Sequence, residues 1–314
     1  MRRVAGTVLT TVLMLAAAVR SQPGGRSVVV TFDDLPANPA GSVSRDPASL
    51  EALTRKLLDA VRRHAIPAIG FVNESGLVVH DESPGDAARR IEVLKLWVDA
   101  GLELGNHGYS HRDLNTAPIE EVQADVIRGE TVTRRLLAAR GQTLRYFRHP
   151  FLHVGADLPS RDAFERFLSR RGYTIAPVTI DNDEFVYAEA YAGALRRGDT
   201  AAAARIGDDY LRYMNEVFAY FEDVTRRVTG REIPQVLLLH ANSLNADRFD
   251  ALAEALVQRG YRFVTLQQAL ADSVYRQPDR FVGAPGNSWL NHWEVTAGRP
   301  RVPTPAAPAW IASP

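Results

Sequence analysis

Two adjacent carboxylates follow an apolar stretch near the start of the chain. Three valines at 28–30 lead to Asp33 and Asp34, and such a run is typical of a strand covered on both faces, as in a parallel sheet. At the carboxyl end of a strand, one carboxylate can bind a metal ion while its neighbour accepts a proton. Side chains alternate along a strand, so the two point in different directions unless the strand has ended. For the pair taken alone, a loop cap before Pro36 is the favoured interpretation, because Asp is common in turns.

Two histidines lie four residues apart, at His107 and His111. On a helical turn this spacing places both imidazoles on one side, within reach of one ion. With one carboxylate they form a set of two histidines and one acid, which leaves coordination positions open, as catalytic metal sites do. Two surface histidines without a ligand are the alternative for this segment taken alone.

A third histidine and an arginine also follow short apolar runs. His240 comes directly after the apolar residues 236–239, and Arg148 follows a short strand pattern. His240 fits either a catalytic acid or a neutral core histidine. Arg148 fits either a partner of a catalytic carboxylate or a surface ion pair, and surface pairs contribute little to stability.

Composition limits the possible chemistry. The chain has 314 residues, enough for one large α/β domain or two small ones, and its 46% hydrophobic content is ordinary for a globular protein. Lys+Arg and Asp+Glu both number 37, so we expect no recruitment to nucleic acid or to an anionic membrane. The absence of cysteine excludes disulfides, thiolate metal sites and cysteine nucleophiles. Any metal must therefore be bound by histidine and carboxylate.

The N-terminus is typical of an export signal. Arg2 and Arg3 precede an uncharged, mostly apolar run at 8–19, with three alanines at 16–18; this run is too short to span a membrane. We predict a signal peptide at 1–21, a folded part that starts near residue 26, and a periplasmic or secreted protein without a stable membrane anchor after cleavage. An uncleaved N-terminal anchor is the alternative.

Strand patterns alternate with helical patterns along the chain. This alternation predicts parallel strands with helical crossovers, in a sheet or barrel whose site lies at the carboxyl ends of the strands. Residues 189–229 lack a strand signal and are predicted to be two inserted helices whose aromatic residues pack in the core. We predict one domain at 26–275 and a C-terminal tail at 276–314 that wraps the surface. The predicted strands cover 28–34, 66–72, 102–106, 146–148, 173–181, 236–240 and 261–264, and the predicted helices include 50–61, 87–100 and 249–256.

Polar residues follow most of these strands, and the predicted fold brings them to one face. Taken in chain order, five segments resemble the motifs of the polysaccharide deacetylase family (the NodB homology domain, a carbohydrate esterase family), over roughly residues 28–271. The segments are Thr31-Phe32-Asp33-Asp34, His107-Gly108-Tyr109-Ser110-His111, Arg148-His149-Pro150-Phe151, Asp181-Asn182-Asp183-Glu184-Phe185 and Leu237-Leu238-Leu239-His240. The resemblance implies a distorted (β/α) barrel with fewer than eight repeats.

The resemblance also implies roles for single residues. Asp34, His107 and His111 would bind one divalent metal ion, with zinc as the expected ion. Asp33 would be the general base toward water, and Arg148 would orient Asp33 and keep it ionised, because a nearby cation favours the carboxylate.

The remaining roles concern the acyl oxygen and the leaving group. The backbone N–H of Phe151 would stabilise the oxyanion, and His240 would protonate the leaving amine or alkoxide. The family usually has Asp-Trp where this chain has Glu184-Phe185. Glu184 would pair with His240, and Asp181 is a second candidate for that role.

Two further departures from the family's motifs lie at positions where the backbone conformation matters. The second motif has Gly108 where Ser or Thr is usual, and the third has Leu152 where Gly usually follows the aromatic residue. These departures and the helical insertion indicate a divergent branch with an unusual substrate.

The predicted function is therefore a secreted, metal-dependent deacetylase that hydrolyses N- or O-acetyl groups on a carbohydrate polymer or oligomer. A metal-dependent amidase acting on a non-sugar C–N bond and a non-catalytic glycan-binding module are the alternatives. The presence of both aspartates and all three histidines argues against the binding module. Peptidoglycan, chitin-like oligomers and xylan all remain candidate substrates.

Overall fold

The computed structural model describes residues 25–78, 83–300 and 303–312. The predicted signal peptide at 1–21 lies outside this part of the chain, so its cleavage and export stay predictions. Within the described ranges, no helix is both long and apolar enough to cross a membrane.

Seven strands and eleven α-helices occupy the described residues. The strands are β1 Ser27–Leu35, β2 Ile69–Val72, β3 Glu103–Asn106, β4 Tyr146–Phe147, β5 Thr174–Ile175, β6 Pro234–His240 and β7 Arg262–Phe263. The helices are α1 Pro47–Arg63, α2 Pro84–Asp99, α3 Ile119–Arg128, α4 Thr131–Ala138, α5 Leu158–Arg170, α6 Glu184–Arg196, α7 Thr200–Thr229, α8 Ser243–Gln258, α9 Leu266–Leu270, α10 Trp289–Thr296 and α11 Ala309–Ala312.

The strands form one parallel sheet in the order β5-β4-β3-β2-β1-β6, with β7 paired to the start of β1. Helices connect successive strands and surround this sheet. The predicted fold class, an α/β distorted barrel with parallel strands and fewer than eight repeats, is confirmed.

Strand register aligns the residues that follow the strands. Asp33 of β1 lies opposite His240 of β6, and Asn106 of β3 lies opposite Phe147 of β4. Because the pairs are parallel, the residues after Asn106 and Phe147 emerge at the same edge of the sheet. His107 and Arg148 are therefore neighbours although 41 positions separate them.

Alternation along β1 separates an outer and an inner apolar layer. Val28, Val30 and Phe32 belong to the main core, which includes the surrounding helices, and the Phe32 ring contacts Trp97 of α2 at 5.6 Å. Val29 belongs to a smaller inner cluster. Since side chains alternate, Thr31 and Asp33 point inward with Val29.

The segment predicted at 189–229 consists of two helices, α6 and α7, as expected, although α6 begins earlier, at Glu184. Its interpretation as an insertion stays a prediction. α7 ends at Gly230, which has a left-handed φ of 72°, as a helix C-cap commonly does. Tyr210, Tyr213 and Phe221 of α7 are buried in the main core, so the interpretation of its aromatic residues as core residues is confirmed for them.

The predicted strand at 173–181 is wrong over most of its length. Only Thr174 and Ile175 pair with β4, and Pro177, which lacks an N–H to donate, follows them closely. The chain then crosses from β5 to the opposite edge of the sheet, where Ile180 makes an isolated parallel bridge to Leu237 of the edge strand β6.

Residues 288–289 form hydrogen bonds with this irregular segment. Trp289 donates its backbone N–H to the Val178 carbonyl at 2.7 Å, and the Ser288 hydroxyl donates to the Thr179 carbonyl at 2.7 Å. The Trp289 and Trp293 side chains are buried in the main core. The residues predicted as a surface tail thus contribute to the core, while the domain boundary after 275 stays a prediction.

Candidate active site

The residues identified from the sequence meet at one cavity of about 460 Å³, at the carboxyl ends of β1, β3 and β6. Arg148 and Glu184 are buried behind the cavity wall. The other predicted site residues line the cavity: Asp33, Asp34, His107, His111, Phe151, Asp181 and His240.

Backbone geometry turns both aspartates of the first motif toward the cavity. The pairing of β1 with β2 becomes irregular between Phe32 and Leu35, and Asp34 has a φ of 63°. Regular alternation would send neighbouring side chains to opposite faces, so this left-handed residue allows Asp33 and Asp34 to share one cavity. Such a conformation costs about 1–3 kcal/mol and is typical of functional sites.

Asp34, His107 and His111 form a donor set suited to a metal ion. The Asp34 Oδ1 atom lies 3.7 Å from His107 Nε2 and 3.8 Å from His111 Nε2. Donor atoms that share one tetrahedral zinc ion lie roughly 3.4 Å apart. His107 Nδ1 lies 2.9 Å from the Arg148 carbonyl, so Nδ1 carries the proton and donates it there, and the Nε2 lone pair faces the other two ligands. The three residues therefore fit a divalent ion.

The segment 107–111 is an irregular loop rather than a helical turn. The two imidazole rings nevertheless lie 4.7 Å apart. Left-handed residues at Gly108 (φ 78°) and His111 (φ 60°) bring them together. The two histidines are therefore neighbours, as their spacing suggested, although a loop and not a helical turn brings them together.

Asp125 of α3 holds this loop from outside the cavity. Its carboxylate accepts hydrogen bonds from the Tyr109 N–H at 2.8 Å, the Ser110 N–H at 3.1 Å and the Ser110 hydroxyl at 2.6 Å. A Cβ atom on Gly108 would lie 2.6 Å from Asp125 Oδ2, and one on Gly129 would lie 2.5 Å from the Gly108 carbonyl carbon. The unusual Gly108 is explained by this close approach of the carboxylate.

Replacing Asp125 by Asn should destabilise the loop at 107–111, which we call the histidine loop. The amide puts a donor where the loop needs an acceptor, so we expect the free energy of unfolding to fall by about 1–3 kcal/mol and metal affinity to fall by about 10–100-fold. Thermal unfolding and titration against a competing chelator measure the two effects. Asp162→Asn, at an exposed position of α5, is the matched control, and equal metal affinity in the two variants would contradict a positioning role.

Arg148 and Asp33 form a buried ion pair. The Arg148 Nη1 atom lies 3.3 Å from Asp33 Oδ2, while Nε donates to the Ala176 carbonyl and Nη2 to the Thr31 hydroxyl. Burial raises the pKa of Asp33 to about 6, against the opposing charge of Arg148. Asp33 is thus ionised at neutral pH and close to the pKa that suits a general base there.

His240 and Glu184 form a second buried pair on the other side of the cavity. His240 Nδ1 lies 2.7 Å from Glu184 Oε2, and the other carboxylate oxygen accepts from the amides of Asn242 and Asn245. Burial lowers the pKa of the imidazole, but the hydrogen bond and charge of Glu184 outweigh it and raise the pKa of His240 to about 9. Glu184 therefore occupies the pairing position for which Asp181 was the second candidate; the charge of Asp181 acts on Arg148.

The third motif has a strained backbone. Phe151 has a φ of 57° and Leu152 a φ of 56°, which explains why glycine is usual at the second position: it adopts this conformation without strain. The Phe151 ring is 54% exposed and packs on the His111 ring at 4.3 Å. The oxyanion role of the Phe151 N–H stays a prediction.

Sequence reasoning missed the residues that hold the catalytic candidates. The Asn38 amide donates to Asp34 Oδ2 at 2.6 Å and so orients the metal-binding carboxylate. Asn242 caps α8 and also contacts Glu184, as Asn245 does. An Asn two residues after His240, just before an apolar helical pattern, is a recognisable cap signal, but nothing in that pattern indicates contact with Glu184. Asn38 sits in a polar loop without any distinguishing pattern.

Part of the chain matches the model of a known protein family. Residues 20–164 match the family model described as polysaccharide deacetylase. This range contains the first three motifs, and therefore all three candidate metal ligands, Asp33 and Arg148. Glu184 and His240 lie beyond it.

Two curated proteins and a solved structure are similar to the chain. A chitooligosaccharide deacetylase from Sinorhizobium fredii (strain NBRC 101917 / NGR234) is 28% identical over 44% of this chain and 52% of that protein. One from Bradyrhizobium sp. (strain ANU 289) is 33% identical over 41% of this chain and 47% of that protein. The chain thus spans about half the length of the curated relatives that it matches.

A variant of the peptidoglycan deacetylase PdaC from Bacillus subtilis superposes with a TM-score of 0.50 at 20% sequence identity, covering 81% of this chain and 95% of that structure. This likeness concerns the fold and covers a larger share of the chain than the family match does. Residues 20–164 of the chain therefore match the polysaccharide deacetylase family.

Proposed function

We propose that the chain is a metal-dependent deacetylase that hydrolyses N- or O-acetyl groups on a carbohydrate polymer or oligomer. The observation that carries this proposal is the donor set of Asp34, His107 and His111, which lies within 4.8 Å mutual reach beside a buried carboxylate at Asp33. The similarity to chitooligosaccharide deacetylases supports an acetylated glycan as substrate. We also propose zinc as the ion, because two imidazoles and one carboxylate suit it, and export to the periplasm or medium.

Each of the chain's own groups has a distinct part in the hydrolysis. The ion, when bound, supplies a Lewis acid for the acyl oxygen and lowers the pKa of water. Asp33 accepts a proton from the attacking water, and Arg148 keeps Asp33 oriented. The Phe151 N–H donates to the oxygen that becomes negative when water adds to the acyl carbon.

His240 completes the reaction on the opposite side of the cavity. When the C–N or C–O bond breaks, the leaving amine or alkoxide takes up a proton. His240 supplies this proton from its ring, and a raised pKa keeps the ring protonated at neutral pH. Acetate and a free amine or hydroxyl are the products.

An acetate-release assay tests the proposal. Chitin oligomers, peptidoglycan fragments, acetylated xylan and an aryl acetate are incubated with the full chain, with and without a chelator. We expect acetate from at least one substrate, loss of about 10²-fold or more of the rate with chelator, and recovery on adding zinc. Glycan binding without acetate release would favour the binding module, and cleavage of a non-sugar amide alone would favour the amidase.

A further inference from the structure

A second cavity lies beside the candidate active site. Its volume is about 450 Å³, and it lies between α5, the end of β5 and the C-terminal residues around α10. His149 is the one residue whose side chain or backbone lines both cavities among the lining residues described. None of the three candidate metal ligands lines the second cavity.

His149 is buried there without a hydrogen-bonding partner. It is 1% exposed, and neither ring nitrogen makes a hydrogen bond of normal geometry within the described residues, although a contact with the His153 backbone opposes the effect of burial on the pKa of the ring. Phe147 and Phe164 flank the ring, with centroids at 5.2 and 5.6 Å. Burial lowers the pKa of His149 to about 3, so the neutral ring offers one donor and one acceptor. Buried polar groups are nearly always satisfied, which points to an absent partner in the cavity.

A second unpartnered group lines the same cavity. The Nε2 atom of Gln277 is buried and also lacks a partner within the described residues. Both unpartnered side chains, His149 and Gln277, are uncharged hydrogen-bonding groups. Each buried group without a hydrogen bond costs about 1–3 kcal/mol. A ligand that formed hydrogen bonds with both groups would recover part of this free energy on binding.

The walls of the cavity combine aromatic rings with charged side chains, three of which are paired with one another. Tyr275, Trp289 and Trp293 line it, and the Tyr275 and Trp293 ring centroids lie 6.0 Å apart. Arg161 pairs with Glu165 at 2.8 Å and with Asp279 at 3.0 Å. Arg276 also lines the cavity and donates to the Ala271 carbonyl at 3.3 Å. The unpartnered groups, His149 and Gln277, are neutral and sit among apolar rings.

We propose that the second cavity binds one neutral sugar ring of a glycan, separately from the catalytic site. A sugar ring has an apolar face suited to tryptophan and tyrosine and an edge of hydroxyl and amide groups suited to His149 and Gln277. The volume lies within the usual range for small-molecule sites. The carboxylates that line the cavity, Glu165 and Asp279, are already paired with Arg161, so a cationic ligand would find no unpaired countercharge there.

Binding of N,N′-diacetylchitobiose to the full chain tests this proposal. An Asp33→Asn background slows turnover by about 10²–10⁴-fold, so that binding is measured close to equilibrium. We expect two disaccharides per chain by calorimetry and a shift of the Gln277 side-chain amide resonance on titration. His149→Phe and Gln277→Leu should each weaken the second site by about 10-fold or more, the loss expected for one hydrogen bond.

A single disaccharide per chain, with no effect of either substitution and no shift at Gln277, would overturn the proposal. So would two bound disaccharides with unchanged affinities in both variants. The amide resonance is measured on a chain with an unaltered second cavity, so it decides the matter even if a variant fails to fold. Acetate release by the wild-type chain is measured separately, and its loss would contradict the deacetylase function without affecting this inference.

Discussion

Asp33→Asn is expected to lower kcat by about 10²–10⁴-fold, the usual contribution of a general base, while the chain keeps its metal. The amide cannot accept a proton from water. The candidate ligands Asp34, His107 and His111 are unchanged, and Asp33 Oδ2 stands at 3.8 Å from His107 Nε2 without being part of the donor set. Acetate release and metal content are measured on the same preparation.

The control must separate chemistry from folding. Arg148 loses its charged partner in this variant, and a buried charge left alone is destabilising, but its bonds to Thr31 and to the Ala176 carbonyl remain. Thermal unfolding shows whether the chain is folded at the assay temperature. Unchanged acetate release from a folded Asp33→Asn chain would contradict the role of Asp33 as base.

Glu184→Gln is expected to move the alkaline limb of the pH–rate profile to lower pH. His240 must be protonated to act as an acid, so in the wild type we expect kcat to fall as pH rises through about 9. The uncharged amide removes the charge that raises this pKa and weakens the hydrogen bond, while burial, which lowers the pKa, remains. The limb should then lie at or below the ordinary histidine value of about 6.5, and activity at pH 8 should fall by about 10-fold or more.

Glu189→Gln serves as the matched control, since Glu189 is an exposed residue of the same helix, α6. Its profile should coincide with that of the wild type. If the Glu184→Gln variant kept an alkaline limb near pH 9, this result would contradict the assignment of that limb to His240 paired with Glu184.

The convergence of the site was predictable, because parallel strands end at one edge of the sheet. The run 28–30 and the run 236–239 identify two buried strands, and their pairing aligns Asp33 with His240. Similar reasoning located His107 and Arg148. These predictions needed only strand patterns and the polar residue that follows each strand.

The supporting contacts were not predictable, because they join segments without a shared pattern. Asp125 reaches the histidine loop from a helix that begins eight residues later, and the positive φ of Asp34 depends on an irregularity in strand pairing. The segment after Ile175 leaves the sheet and is covered by residues 288–289. Such contacts depend on three-dimensional packing, which local apolar patterns do not encode.

Metal content tests the central claim most directly, namely that Asp34, His107 and His111 hold one divalent ion. Elemental analysis of the purified wild-type chain, of His111→Ala and of Asp33→Asn is compared after identical dialysis. We predict about one divalent ion per chain in the wild type and in Asp33→Asn, and a small fraction of that in His111→Ala, because two ligands bind far more weakly than three. Equal metal content in wild type and His111→Ala would contradict the account.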